Sequence, residues 1–317
     1  MVDPRLINYF ELYAKNWTLV RQALGSQLRI TPDVENVFVC LICFKFFSES
    51  DPDEISLEHV PPDSVGGKVR TITCKVCNSE SGSKLDNHLA LKLEHEDIFA
   101  ERSSGPLQAH ASIDGIRLPI DFYKEDNNFS IVIPNNDKWQ QKCRSQIDAF
   151  TEKVVSGKFE INVEYKLHSS KRANAAILRS AYLWAFSVFG YGVLINPHFP
   201  VIRGQIHNPE ENILSSQGYG FLSGGIPDEL LGVNLIKSPR EARSLLVVLD
   251  VTSELGTKTR YGVMLPGPSL PGPMIYDWLE SHQEEPINYQ LEHIPEFDFL
   301  DAPMAFQMLW NELTATN

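Results

Sequence analysis

Apolar and aromatic residues at Leu6, Tyr9, Phe10, Tyr13, Trp17, Val20 and Leu24 recur close to the helical period. This spacing predicts an amphipathic helix over residues 5–25, closed by Thr31-Pro32. From Val37 to about Leu93 the pattern changes to short β-rich runs broken by cysteines and by Gly66-Gly67, which predicts a small compact unit ending in a helix. Ser103-Ser104-Gly105-Pro106 reads as a linker. Beyond it, SIDGIRLPIDFY and FSIVIP, with Asp-Gly and Asn-Asn turns, predict hairpin strands within 112–134. A helix over 138–155, an alternating strand over 159–165 and an apolar helix over 171–189 follow, then strands over 245–251 and 261–265 and a short helix over 274–281. The fold class expected is therefore α+β. Three regions are expected: an N-terminal helix region (1–36), a metal-bound module (37–104) and a mixed C-terminal α+β domain (105–317).

Residues 175–195 (AAILRSAYLWAFSVFGYGVLI) are long enough to span a bilayer, which takes about 20 residues. Arg179 lies inside the run, Gly190 and Gly192 interrupt it, and no second such segment exists, so a buried core helix followed by a strand is expected instead. Small residues at Ala173, Ala175, Ala176 and Ala181 permit close helix packing there. The N-terminus MVDPRLINYF lacks the basic start and apolar run of a secretory signal, so a cytoplasmic protein without membrane association is expected. With 43% hydrophobic and 22% charged residues, the 317-residue chain has the composition of a folded globular protein.

The net charge of −13 argues at first against a polyanionic partner. Its distribution removes that objection. After Arg260 there is no Lys or Arg, while Asp277, Glu280, Glu284, Glu285, Glu292, Glu296, Asp298, Asp301 and Glu312 supply nine negative charges, leaving −4 for the rest. The acidic segment reads as a solvated surface, with contact to a basic partner or cover for a phosphate groove as the alternative.

Four of the five cysteines form two knuckles, Cys40-Leu41-Ile42-Cys43 and Cys74-Lys75-Val76-Cys77. Two intervening residues let both thiolates of a turn reach one tetrahedral ion, so Cys40, Cys43, Cys74 and Cys77 are expected to bind a structural zinc. A buried strand would explain VFVCLICF but not the second knuckle. Cys143 stands apart and is expected to be buried. A closed four-thiolate site holds structure and does no chemistry.

Chemistry must come from Ser56-Leu57-Glu58-His59-Val60-Pro61-Pro62, then Asp63-Ser64-Val65-Gly66-Gly67, and from Asn78 to Asp86 after the second knuckle. The joint pattern, CxxC, acid-His-x-Pro, Gly-Gly, CxxCN, Gly and Leu-Asp, resembles HNH endonucleases over about Cys40 to Asp86. The resemblance implies two short strands and a helix around a catalytic cation. It implies His59 as general base, Glu58 as the neighbouring carboxylate that helps hold magnesium or manganese, and Asn78 as the final cation ligand. Such chemistry needs a proton acceptor of near-neutral pKa and a hard cation with oxygen ligands at the scissile phosphate. Asp86 matches the Leu-Asp signature, with a supporting role expected.

The sequence departs from the pattern at Lys68-Val69-Arg70-Thr71-Ile72-Thr73, where many members place an Asn that orients the base. A backbone carbonyl, Thr71 or Thr73 is the expected substitute. Asn78 can also cap the following helix. Lys68, Arg70, Lys75 and Lys84 form either a phosphate-contacting rim or solvated surface; His88 and His95 read as ordinary surface or core histidines. The function expected is metal-dependent cleavage of DNA, in bacterial defence or restriction. Two alternatives stay open: a zinc-stapled nucleic-acid or protein binding module whose active site has decayed, and a nuclease preferring RNA or single strands. Residues 105–317 carry no motif that assigns an activity; substrate choice, regulation, or contact with a protein partner or second copy are the roles expected there.

Overall fold

The computed structural model describes residues 3–24, 34–100, 102, 105–125, 128–134, 137–157, 159–165, 167–195, 198–214, 221–223, 225–267, 272–282, 287–295 and 299–302. In chain order its elements are α1 (Pro4–Leu24), β1 (Phe38–Val39), β2 (Phe46–Phe47), β3 (Ile55–Val60), β4 (Lys68–Cys74), α2 (Lys75–Ser81), a π-helical turn (Gly82–Asp86) and α3 (Asn87–Phe99). Then come β5 (Leu107–Ile113), β6 (Ile116–Glu125), β7 (Asn128–Val132), α4 (Asp137–Val155), β8 (Asn162–Tyr165), α5 (Ser170–Phe189) and α6 (Phe199–His207). The chain continues through β9 (Phe221–Ser223), β10 (Gly232–Ser238), β11 (Leu245–Thr252), β12 (Lys258–Leu265), α7 (Gly272–Ser281) and β13 (Gln290–His293). The fold is mixed α+β with small sheets, as expected.

The chain forms two compact units, and they do not follow the expected regions. One comprises 1–90 with 169–317, the other 91–168. The expected division at 104/105 falls inside the second unit; Ser103 and Ser104 of the expected linker, like Thr31-Pro32, lie outside the described residues. So do Glu284, Glu285, Glu296, Asp298 and Glu312 of the acidic segment.

In the first unit α5 is the central element. It packs against β3, β4 and the π turn, and also against β10, β11 and β12 of a five-stranded antiparallel sheet ordered β13-β10-β11-β12-β9. The apolar run that resembled a membrane span is thus core: among the described residues Ser170–Leu194 is long and apolar enough to cross a bilayer, yet 89% of its most apolar window is buried. Ala173, Ala175, Ala176 and Ala181 are buried, as close packing requires. The helix runs into 3-10 turns over Gly190–Ile195, not the strand expected. The reversal uses Gly190 at φ +56, where an added Cβ would lie 2.4 Å from the Asn16 Oδ1 atom.

Helix α1 belongs to the same core. Tyr13 stacks on Phe186 at 4.6 Å between ring centroids, Trp17 meets Tyr191 edge-on at 5.1 Å, and the Trp17 indole N–H donates to the Val34 carbonyl at 2.9 Å. Such pairs combine large apolar burial with directional ring contacts.

The second unit is a four-stranded antiparallel sheet, β7-β6-β5-β8, with α4 against β6. Alternate residues Ala109, Ala111 and Ile113 of β5 point into its core with Leu118, Ile120 and Phe150, the period-2 pattern of a half-buried strand. The Asp114-Gly115 turn closes the first hairpin, with both residues at positive φ. Cys143 is half-buried on α4 and not fully buried as expected, because this amphipathic helix covers the sheet with one face only.

Candidate functional site

The four cysteines Cys40, Cys43, Cys74 and Cys77 converge, with all ligand atoms within 4.8 Å of one another. Cys43 and Cys74 Sγ lie 3.7 Å apart. Two thiolates on one tetrahedral zinc, each at about 2.3 Å, stand about 3.8 Å apart, so the donor set fits that ion. Hydrogen bonding among the thiols themselves is the leading influence on all four: Cys40, Cys43 and Cys74 are drawn down to about 7, while Cys77 is pushed up. Thiols drawn toward the thiolate form suit a cation that needs thiolates.

The first knuckle is gripped by side chains far along the sequence. Tyr191 places its hydroxyl against both backbone groups of Val39, accepting from the N–H at 2.7 Å and donating to the carbonyl at 2.9 Å. Tyr182 donates to the Leu41 carbonyl at 3.2 Å, and His207 Nε2 lies 3.1 Å from the Ile42 carbonyl. The second knuckle opens α2: Cys74 serves as its N-cap, its sulfur accepting from the Cys77 N–H at 3.4 Å.

β3 and β4 form an antiparallel hairpin, and α2 follows directly, giving a ββα frame. The ladder pairs Glu58 with Thr71 but His59 with Val69, so Arg70 is an extra residue in a β-bulge. Bulges re-aim side chains. The Arg70 guanidinium lies 3.7 Å from the Trp184 ring centroid, so it is committed to a cation–π stack and not to an open rim. Lys68, Lys75 and Lys84 are exposed, and Lys84 pairs with Glu80 at 3.3 Å.

The loop joining the strands explains Gly66-Gly67. Gly66 has φ +83, and a Cβ on Gly67 would lie 1.5 Å from the Pro61 carbonyl oxygen. The Val65 and Gly67 N–H groups both donate to the Pro62 carbonyl. This turn sets the end of β3, where His59 sits.

His59, Asn78 and Asp86 line one groove of about 370 Å³ together with Glu58, Asp63 and Asn87. The His59 side chain is 38% exposed, with Nε2 3.8 Å from Asp63 Oδ1. That distance exceeds a hydrogen bond but places a carboxylate where a charge on the ring would be felt. Asn78 does not cap α2. Its amide donates to Ser56 Oγ at 3.0 Å and to the Leu57 carbonyl at 3.1 Å, tying the helix to β3 and leaving its carbonyl oxygen as the atom available to a cation.

Asp86 enters the groove from the π turn, which widens the helix between α2 and α3. Its Oδ1 is buried without a hydrogen-bond partner, and burial raises its carboxyl above the ordinary range, opposed by the charge of Arg179.

Glu58, next to His59 on β3, lines the same groove but is almost fully buried. Glu58 turns inward to Arg179 of α5, which donates Nη1 to Oε1 at 3.1 Å and Nη2 to Oε2 at 2.8 Å; Thr73 adds a bond to Oε2 at 2.6 Å. The Thr71 hydroxyl donates to the Tyr13 hydroxyl at 2.8 Å. Neither threonine therefore takes the expected role of orienting His59, because both face the core. Asp63 is the carboxylate near the ring instead.

Sequence reasoning missed Arg179 and Asp63 as parts of the site. Arg179 carried a signal: a charge inside an apolar helix needs a buried partner. Asp63 carried none beyond its position four residues after His59. His88 and His95 are structural, as expected: His88 Nδ1 accepts from the Ser169 N–H at 2.9 Å in the first unit, and His95 Nδ1 lies 3.2 Å from His168 Nδ1 in the second.

Residues 40–94 match the family model described as HNH endonuclease. No curated protein and no solved structure matches the chain. The match covers both cysteine knuckles, the β3–β4 hairpin, α2, the π turn and most of α3, while α5 with Arg179 and Tyr191 lies outside it. Zinc-type knuckles, ββα frame and groove accompany this match, so residues 40–94 form an HNH endonuclease domain, which suggests nuclease activity on nucleic acid.

Proposed function

We propose that the protein is a divalent-cation-dependent endonuclease that hydrolyses phosphodiester bonds in DNA, with His59 as general base. The observation that carries this reading is the convergence of a half-exposed histidine, an amide oxygen and a carboxylate with an orphaned oxygen in one groove of the ββα frame. The donor set of Asn78 and Asp86 oxygens suits a hard cation such as magnesium or manganese. When bound, that cation supplies charge neutralisation at the scissile phosphate and the leaving oxygen. His59 takes the proton of the attacking water on its ring, and Asp63 stands close enough to offset the charge so formed. Lys68 and Lys75, both exposed on the domain, are suited to phosphate contacts. The four-thiolate site takes a structural zinc and no part in the reaction. Cleavage of foreign DNA, in defence or restriction within the cytoplasm, is the role proposed.

A second reading, a binding module with a decayed active site, draws on one observation: the acid of the acid–His pair is bound to an arginine. Cleavage of plasmid, linear DNA and RNA, each with magnesium, manganese or chelator, separates the two. His59→Ala should lower cleavage by about 10²–10⁴-fold with zinc content and folding retained, the scale of a lost general base. Undiminished cleavage by that variant refutes the assignment, and nucleic-acid binding without turnover by the unaltered protein favours the second reading.

A further inference from the structure

Three charged side chains meet beside the groove: Glu58 from β3, Asp86 from the π turn and Arg179 from the middle of α5. Arg179 lies 121 residues from Glu58 and outside the segment that matches the HNH family. Its side chain is 1% exposed and that of Glu58 is 4% exposed. Two parallel N–H···O contacts at 3.1 and 2.8 Å make this a bidentate pair, the geometry in which a guanidinium fixes a carboxylate most firmly. Thr73 adds a third bond, so both oxygens of Glu58 are engaged and its charge is balanced.

A carboxylate so held is poorly placed to ligate a cation, because the guanidinium already supplies the positive charge and repels another. Asp86 lines the same groove as Glu58, His59 and Asn78, but differs from Glu58 in that its Oδ1 has no hydrogen-bond partner. The trio carries one net negative charge, and with Glu58 and Arg179 paired, that charge belongs to Asp86.

We propose that Arg179 is a positioning residue for the groove: it anchors Glu58 as a fixed carboxylate behind His59 and leaves Asp86 as the carboxylate that binds the divalent cation. This inference rests on the reading of the groove as a cation site. It assigns the acid of the acid–His pair to the architecture and moves cation binding to the Leu-Asp position.

The test is Mn²⁺ binding by the zinc-loaded full-length protein without nucleic acid, followed through the electron paramagnetic resonance signal of free Mn²⁺. Asp86→Asn should weaken binding by about tenfold or more, the scale of removing one unit charge from a partly buried groove. The double variant Glu58→Gln/Arg179→Met removes the paired charges together and should keep affinity within about threefold of the unaltered protein. It should also lower kcat at saturating Mn²⁺ by about tenfold with KM for substrate unchanged, because the support behind His59 is lost. Arg179→Met alone releases the Glu58 charge and should tighten Mn²⁺ binding by about tenfold, an effect that loss of a merely structural residue would not give. If that single variant does not fold, the double variant, which strands no buried charge, still decides. Wild-type affinity in Asp86→Asn, or a loss in the double variant as large as that expected of Asp86→Asn, overturns the proposal. If the unaltered protein binds Mn²⁺ through Asp86 but cleaves no nucleic acid, the nuclease reading fails while this inference stands.

Discussion

Removing the single hydroxyl of Tyr191 should loosen the first cysteine knuckle from a position 152 residues away in sequence. The Tyr191 ring is fully buried, and its hydroxyl is bonded to both the N–H and the carbonyl of Val39, the residue before Cys40. Tyr191→Phe keeps the ring and its contacts with Trp17 and Phe186 but strands two buried backbone groups. Each group left unpaired costs about 1–3 kcal/mol, so the loss expected is about 2–6 kcal/mol. Set against a total stability of about 5–15 kcal/mol, that is a severe effect for one oxygen atom. Urea unfolding of the zinc-loaded protein measures it, and release of zinc to a colorimetric chelator reports whether the knuckle itself opens faster. Tyr182→Phe provides the scale: its hydroxyl donates one longer bond, 3.2 Å to the Leu41 carbonyl, and accepts another at 3.3 Å from the part-exposed Arg203, which water can replace, so it should cost about 1–2 kcal/mol. If Tyr191→Phe unfolds within about 0.5 kcal/mol of the unaltered protein and releases zinc at the same rate, the knuckle does not depend on this contact.

Two further perturbations test other parts of the structure. Gly67→Ala should be worse than Gly66→Ala in both thermal stability and cleavage: the left-handed backbone at Gly66 costs an alanine about 1–2 kcal/mol, whereas at Gly67 a Cβ 1.5 Å from the Pro61 carbonyl forces the loop beside His59 open. Equal effects would show that the close approach is relieved cheaply. In the second unit, burial lowers the pKa of both His95 and His168, with Lys92 adding to the effect at His168. The folded values thus lie below the unfolded value of 6.5; the contribution is complete above that pH and is lost as pH falls through the lowered values, because the unfolded chain takes up protons first. Their Nδ1 atoms, 3.2 Å apart, can share a hydrogen bond only while at least one ring is neutral. Hydrogen exchange over 91–168, corrected for intrinsic rates, should therefore show lower protection at pH 5 than at pH 7.5; equal protection would dismiss the pair as a source of pH sensitivity.

What could be read from the sequence divides by the range of the interactions. The knuckles, the Gly-Gly turn and the acid–His pair are local patterns, and the structure gathers all four cysteines and places His59, Asn78 and Asp86 on one groove. Helices α1, α4 and α5 also emerge from periodicity, since their faces are written within one or two turns of sequence. Strand β10 and helix α6 were not anticipated. β10 opens with GVNLI, five consecutive buried residues that include the polar Asn234 in an interior strand of the sheet, and such a run has no alternation to betray it. α6 is only nine residues long and begins with Phe-Pro, too short for a clear period. The expected domain boundary misplaced α5 for a deeper reason: composition changes near residue 104, but folding returns the chain to the first unit at residue 169, and only long-range packing records that return.

That return bears on how the HNH domain works. The family match ends at residue 94, yet three sets of contacts that hold its hairpin and first knuckle come from beyond residue 168: Arg179 on Glu58, Trp184 on Arg70, and Tyr182, Tyr191 and His207 on the backbone of residues 39–42. None touches the open side of the groove, and all act from the core side of the hairpin or knuckle. A ββα frame of this size buries too little apolar surface to hold a base within the few tenths of an ångström that proton transfer requires, and metal staples commonly make up the deficit in small folds. Here a thiolate site supports one end of the hairpin, at Cys74, while α5 supports the middle, at Glu58 and Thr73. The buried ion pair suits that task better than added apolar surface, because a bidentate guanidinium fixes both position and rotation of the carboxylate while a packed aliphatic chain fixes neither. On the proposed nuclease reading, α5 supports the site although none of its residues lines the groove, and substitutions along its Glu58-facing side should act on His59 through its neighbour on β3.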